Sequence, residues 1–121
     1  MNEIDLKKIV TLLDKHEING EELEQLLYAR KTNKEVRFLI IDVREEDEYQ
    51  EKRIKGVDYL IPLSNFKHNI SIIQDKKDTP IITQCRIGAR SATAQSQMLL
   101  WGFKTVINLS GGITHYKGKT I

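Results

Sequence analysis

The chain's single cysteine, Cys85, opens the run Cys85-Arg86-Ile87-Gly88-Ala89-Arg90-Ser91. Ahead of it lies Pro80-Ile81-Ile82-Thr83-Gln84, a short apolar stretch of strand type that starts from a proline. Behind it, Ser91 to Trp101 has the pattern of a helix closed by Gly102. A thiol at such a strand-to-helix turn faces unpaired backbone N–H groups and the positive end of the helix dipole. Arg86 and Arg90 add positive charge. All of these favour thiolate over thiol, so Cys85 is predicted to be a nucleophile of lowered pKa. Gly88 permits the tight bend that turns N–H groups inward. A lone cysteine is more often an inert core residue, but a core cysteine has no use for two neighbouring arginines and a glycine.

The elements that must position this loop follow from periodicity. Leu6, Ile9, Val10 and Leu13 share one face of a helix from about Glu3 to Lys15, which Asn2 can cap. A second helix starts after Asn19, with Glu22 at the capping-box position, Ile18 stapled to Leu23, and Leu23, Leu26 and Leu27 facing inward. Val36 to Val43 contains Phe38-Leu39-Ile40-Ile41, a continuous apolar run suited to a strand covered on both faces. A short helix from Glu45 to Lys52, a strand from Val57 to Ile61 and a helix from Asn65 to Gln74 come next, the last with Phe66, Ile70 and Ile73 on one side. Strands at Ile81–Gln84 and Thr105–Leu109, a Gly111-Gly112 turn and one helical turn at Ile113–Tyr116 complete the chain. This alternation predicts an α/β fold, a mainly parallel central sheet with helices on both faces. Sites in such sheets lie beyond the C-terminal ends of the strands, where Asp42 and Cys85 both stand. Arg90 has two roles open to it: reaching outward to a substrate anion, or folding back onto a carboxylate such as Asp42. Bracing is preferred, because a buried arginine needs a partner. Arg44 is either a second anion-binding group or a structural partner for nearby acids.

At 121 residues the chain is one domain, and 40% hydrophobic with 30% charged residues is the composition of an ordinary globule. A net charge of +2, with bases interspersed among acids, argues against a nucleic-acid partner. One cysteine rules out an intramolecular disulfide and speaks against a thiolate metal site; His16, His68 and His115 fall on separate elements with no metal spacing and are expected at the surface. Trp101 is expected to pack at the end of its helix. No apolar run has the length of a bilayer span, and Met1-Asn2-Glu3-Ile4-Asp5 is unlike a secretory signal. With one free thiol suited to a reducing compartment, the expectation is a cytoplasmic protein with no membrane partner, no metal and no cofactor.

The Cys85 loop resembles the active-site loop of rhodanese-homology domains, the single-domain sulfurtransferases. Asp42-Val43-Arg44-Glu45 with Glu48-Tyr49, then Ile54-Lys55-Gly56 and Ile61-Pro62-Leu63, looks like that family's first conserved stretch. Leu109-Ser110-Gly111-Gly112-Ile113 looks like its C-terminal Gly-Gly signature, so three segments match in order between about Ile18 and Lys117. The resemblance implies a rhodanese-like three-layer α/β/α domain over residues 18–121, preceded by a helical extension over residues 1–17. It implies that Cys85 takes sulfane sulfur from thiosulfate or a persulfide donor and passes it, through a cysteine persulfide, to cyanide or to a thiol, small or borne on a protein. The remaining loop residues would then bind substrate, with Asp42 and Arg44 in support; Arg86, right after the cysteine, is either the foremost substrate-attracting cation or a solvated surface arginine. Phosphatase and arsenate-reductase relatives carry one more residue between cysteine and arginine, so by resemblance the four-residue spacing favours sulfur over phosphate. Two departures stand out: Lys52-Arg53 replaces a common Gly-His, and Tyr116 stands where a tryptophan is usual. The rival readings are a binding or regulatory module that keeps the fold with little turnover, and a thiolate phosphatase or arsenate reductase.

Overall fold

The computed structural model describes residues 3–121. Five strands, β1 (Glu17–Ile18), β2 (Leu39–Asp42), β3 (Tyr59–Leu60), β4 (Ile81–Gln84) and β5 (Val106–Leu109), form one sheet in the order β1-β5-β4-β2-β3. Every pairing between these strands is parallel. The helices are α1 (Glu3–Val10), α2 (Gly20–Thr32), α3 (Glu46–Glu51), α4 (Phe66–Asn69) and α5 (Ala89–Leu100).

The apolar runs of the central strands are continuous because both sheet faces are covered. Successive side chains point to opposite faces. Ile40, Ile82 and Ile107 accordingly pack with Leu23 and Leu26 of α2, while Ile41, Ile81 and Val106 pack with Phe66 of α4 and Met98 of α5. The result is the expected three-layer α/β/α arrangement. Asn19 caps α2 by accepting from the Glu22 N–H at 2.8 Å, and the Glu22 side chain accepts from the Asn19 N–H at 2.9 Å, the predicted capping box.

Several elements differ from expectation for identifiable reasons. The first helix gives way after Val10 to a 3₁₀ turn over Thr11–Asp14. Its tighter winding brings Leu12 and Leu13, rather than Val10, to the core; Val10 is exposed. Asn2, the expected cap, lies outside the described residues. β2 starts only at Leu39, where the Leu39 N–H reaches the Pro80 carbonyl, because β4 offers no partner further back. The helix expected over Asn65–Gln74 is α4 followed by a 3₁₀ segment, Ile70–Lys76, broken at Ile73. Three isoleucines in four positions, Ile70, Ile72 and Ile73, are stiff β-branched residues that disfavour a regular helix. Strand β1 was not foreseen, since two residues carry no period. At the end of α3, Lys52 closes the helix in extended conformation (φ −165°), so a glycine is not required there.

Sheet order fixes where ligands can lie. From β2 the chain moves to β3 at one edge, and from β4 to β5 toward the other. The switch point is therefore the crevice above the C-terminal ends of β2 and β4. Asp42 and Gln84 are register partners there, and Cys85 is the next residue.

Candidate active site

The loop from Cys85 to Gly88 is short and pinned from below. The Cys85 carbonyl accepts from the Ile113 N–H at 3.0 Å and from the Gln84 amide at 2.9 Å, and the Arg86 carbonyl accepts from the Thr114 N–H at 3.0 Å. With those carbonyls turned down, the following N–H groups turn up. Two glycines allow it. Gly88 adopts φ +110°, and a Cβ on Gly112 would lie 2.4 Å from both carbonyl oxygens. The expected Gly111-Gly112 turn thus packs directly against the Cys85 loop.

The upward-facing groups converge on one sulfur. The Gly88 N–H donates to Cys85 Sγ at 3.1 Å, and the Ser91 hydroxyl lies 3.3 Å from it. The N–H groups of Ile87 and Ser91 act on the same thiol in the direction that lowers its pKa. Cys85 is only 1% exposed. Burial pushes its pKa up, yet the hydrogen bonds from the Ser91 hydroxyl and from the Ser91, Gly88 and Ile87 N–H groups outweigh it, and the net direction is below the ordinary thiol value. The predicted lowering is present, but its cause is hydrogen bonding more than the two arginines.

Arg90 folds back onto a carboxylate, and the partner differs from the one expected. Its guanidinium forms a bidentate pair with Glu48, both distances 2.8 Å. Asp42 is not available to it, because Arg44 already holds that carboxylate: Arg44 Nη2 to Asp42 Oδ2 is 2.7 Å, and Nε contacts both oxygens at 3.0 and 3.1 Å. Arg44 also donates to the Lys52 carbonyl at 2.7 Å and is 4% exposed, which makes it a structural partner of Asp42. Glu48 receives the Glu45 N–H, and Glu45 receives the Ser64 hydroxyl at 2.6 Å, so the brace ties the loop to α3 and to the segment after β3. The Arg90 guanidinium holds the Glu48 carboxyl down at about 2.

The other loop residues point outward. The Arg86 residue is exposed and its guanidinium makes no hydrogen bond or ion pair among the described residues, Ile87 is 58% exposed, and Ala89 begins α5. Sequence reasoning gave no role to three residues that shape the site. Glu48 was visible as the second half of a Glu45-Glu48 capping box. Asn108 and Thr83 were visible as polar residues inside buried strands: Asn108 donates to the Gly88 carbonyl at 3.3 Å, and Thr83 to the Ser91 carbonyl at 3.0 Å. No group of three or more histidine, cysteine or acidic residues suited to a metal occurs among the described residues. His16, His68 and His115 are exposed, and Trp101 is half-buried against Phe66, with ring centroids 5.8 Å apart.

A buried cysteine sulfur facing a backbone N–H and a serine hydroxyl, at the strand ends of an open parallel sheet, is the feature that sets the class of this domain. The rhodanese-like domain family model matches residues 21–119, and the chain belongs to that family. It is 31% identical over 117 residues to the tRNA uridine(34) hydroxylase of Protochlamydia amoebophila, covering 91% of this chain and 37% of that protein. It thus spans little more than a third of that relative's length. It is 30% identical over 80 residues to the thiosulfate sulfurtransferase GlpE of Coxiella burnetii, covering 66% of this chain and 72% of GlpE. A rhodanese-related protein of Thermoplasma volcanium shares the fold, with a TM-score of 0.72 at 21% identity over 88% of this chain and 98% of that one.

Proposed function

We propose that the protein is a sulfurtransferase that carries sulfane sulfur as a persulfide on Cys85. The observation that carries this reading is a single buried sulfur that accepts from the Gly88 N–H and lies against the Ser91 hydroxyl at the start of α5. The thiolate attacks the outer sulfur of thiosulfate or of a persulfide. A new S–S bond forms, and the donor's own S–S bond breaks, its electron pair leaving with sulfite or a thiolate. The charge then sits on the outer sulfur, where the same N–H groups and the start of α5 offset it. Cyanide or a thiolate next attacks the outer sulfur and the pair returns to Cys85. Arg86, exposed and unpaired, attracts the donor anion. The acceptor is a small thiol or a protein thiol, and a single free thiol of lowered pKa fits the reducing cytoplasm.

Similarity to GlpE, a named thiosulfate sulfurtransferase, supports the reading, as does the four-residue spacing from Cys85 to Arg90. The test is steady-state turnover of thiosulfate with cyanide. Parallel lines in double-reciprocal plots are expected from a covalent intermediate, with no turnover in Cys85→Ser. Hydrolysis of aryl phosphates that outpaces sulfur transfer, and disappears in Cys85→Ser, would replace this reading with a phosphatase.

A further inference from the structure

The Ser91 hydroxyl has two acceptors within reach: Cys85 Sγ at 3.3 Å and the Gly88 carbonyl at 3.2 Å. A hydroxyl has one proton and donates it to one of them at a time. The two acceptors are unequal, and their inequality changes during the proposed reaction. The Gly88 carbonyl is already supplied by the Ala92 N–H at 3.1 Å and by the Asn108 amide at 3.3 Å, so it does not depend on Ser91. Among the described residues Cys85 Sγ has no other side-chain donor, only N–H groups of its own loop.

We propose that Ser91 is a catalytic residue whose hydroxyl proton bonds to Cys85 Sγ while that atom is a thiolate, turns to the Gly88 carbonyl when Cys85 carries a second sulfur, and turns back as the sulfur leaves. The inference rests on the persulfide reading. In the loaded state Sγ is bonded to carbon and to sulfur and is a weak acceptor, the charge having moved to the outer atom. No proton is transferred; the hydroxyl only rotates. In the discharge step the Sγ–S bond breaks, the electron pair returns to Sγ, and the hydroxyl meets the charge developing there. Ser91 therefore acts on Cys85 as a leaving group as well as a nucleophile. Loss of the bond makes the thiolate more basic. A more basic thiolate attacks at least as fast and leaves more slowly.

Ser91→Ala is the test, and it removes one buried oxygen at the start of a helix where alanine is well tolerated. The pH profile of Cys85 alkylation by iodoacetamide should move up by about one unit, about a tenfold loss of rate on its acid limb. Arg86, the Arg90–Glu48 pair, the Asp42–Arg44 pair and His115 behind Gly111 surround the loop in both proteins, so the difference profile isolates Ser91. Above both midpoints, loading from thiosulfate should not slow, whereas discharge to cyanide should slow by about threefold. Ser91→Thr, which keeps a hydroxyl, should restore the alkylation midpoint. An unchanged midpoint in Ser91→Ala, or equal losses in both half-reactions, overturns the proposal. A wild type whose alkylation depends on Ser91 but which takes up no sulfur from thiosulfate or from a persulfide donor overturns the sulfur-transfer reading and the rotation with it. A wild type that transfers sulfur while Ser91→Ala matches it in both arms overturns the rotation alone.

Discussion

The cradle around Cys85 and the brace beside it use the same kinds of group in opposite ways. In the brace each charge is committed to a fixed partner: Arg44 to Asp42, and Arg90 to Glu48. In the cradle the donors are mostly backbone N–H groups, all directed at one sulfur, and the nearby guanidinium of Arg86 is left unpaired. The contrast separates two jobs that the sequence run makes look alike. Backbone dipoles face the sulfur, and paired side-chain charge ties the neighbouring segments together. A backbone donor cannot swing away or be screened as a surface side chain can, so the arrangement suits a site that must present the same geometry before and after sulfur arrives.

Disrupting the brace at its buried end should have the largest effect. Arg44→Ala leaves the Asp42 carboxylate, 0% exposed, without its cation, and should cost about 3–5 kcal/mol in urea unfolding. Replacing both residues together, Asp42→Leu with Arg44→Met, should recover most of that loss, because the penalty comes from the unpaired charge. A double variant as unstable as the single would show that the pair does more than neutralise itself.

The exposed end of the brace is worth less. Arg90→Ala should lower stability by about 1 kcal/mol, since both partners are partly solvated. It should lower sulfur transfer by about tenfold through a loosened loop. Because Glu48 is held down at about 2, against an ordinary value of 4.5, the pair's contribution is fully present above about pH 4.5. It is lost as the pH falls through about 2, and Arg90→Ala should be correspondingly less sensitive over that acid range. If Arg90→Ala unfolds like wild type and only thiosulfate binding suffers, Arg90 belongs to the substrate side of the comparison.

Arg86 should show the smallest effect. Arg86→Ala should raise KM for thiosulfate by about threefold, leave kcat and the melting temperature unchanged, and erase part of the salt dependence of kcat/KM. A loss of stability in Arg86→Ala would move this residue into the brace.

The features that were legible in sequence were those with a local cause. The strand-to-helix turn at Cys85, the α2 capping box and the strands β2 and β4 each follow from residue types within a few positions. The partner of Arg90 did not, because Glu48 and Asp42 are both acids close to the switch point, and only the prior claim of Arg44 on Asp42 decides between them. The source of the thiolate's stabilisation was half legible. A strand-to-helix turn predicts free N–H groups, but their aim depends on carbonyls held by Ile113 and Thr114, more than twenty residues downstream. Strand β1 was hidden because it takes its place from pairing with β5 and not from its own two residues.

The central claim is that the cradle holds a transferable sulfur on Cys85, and the intact mass of the purified protein tests it most directly. After thiosulfate the wild type should gain about 32 Da, one sulfur atom, and return to its starting mass with cyanide, while Cys85→Ser should not change, as a covalent-intermediate mechanism requires. A wild type whose mass stays constant with thiosulfate and with a persulfide donor, or a gain that persists in Cys85→Ser, would contradict it.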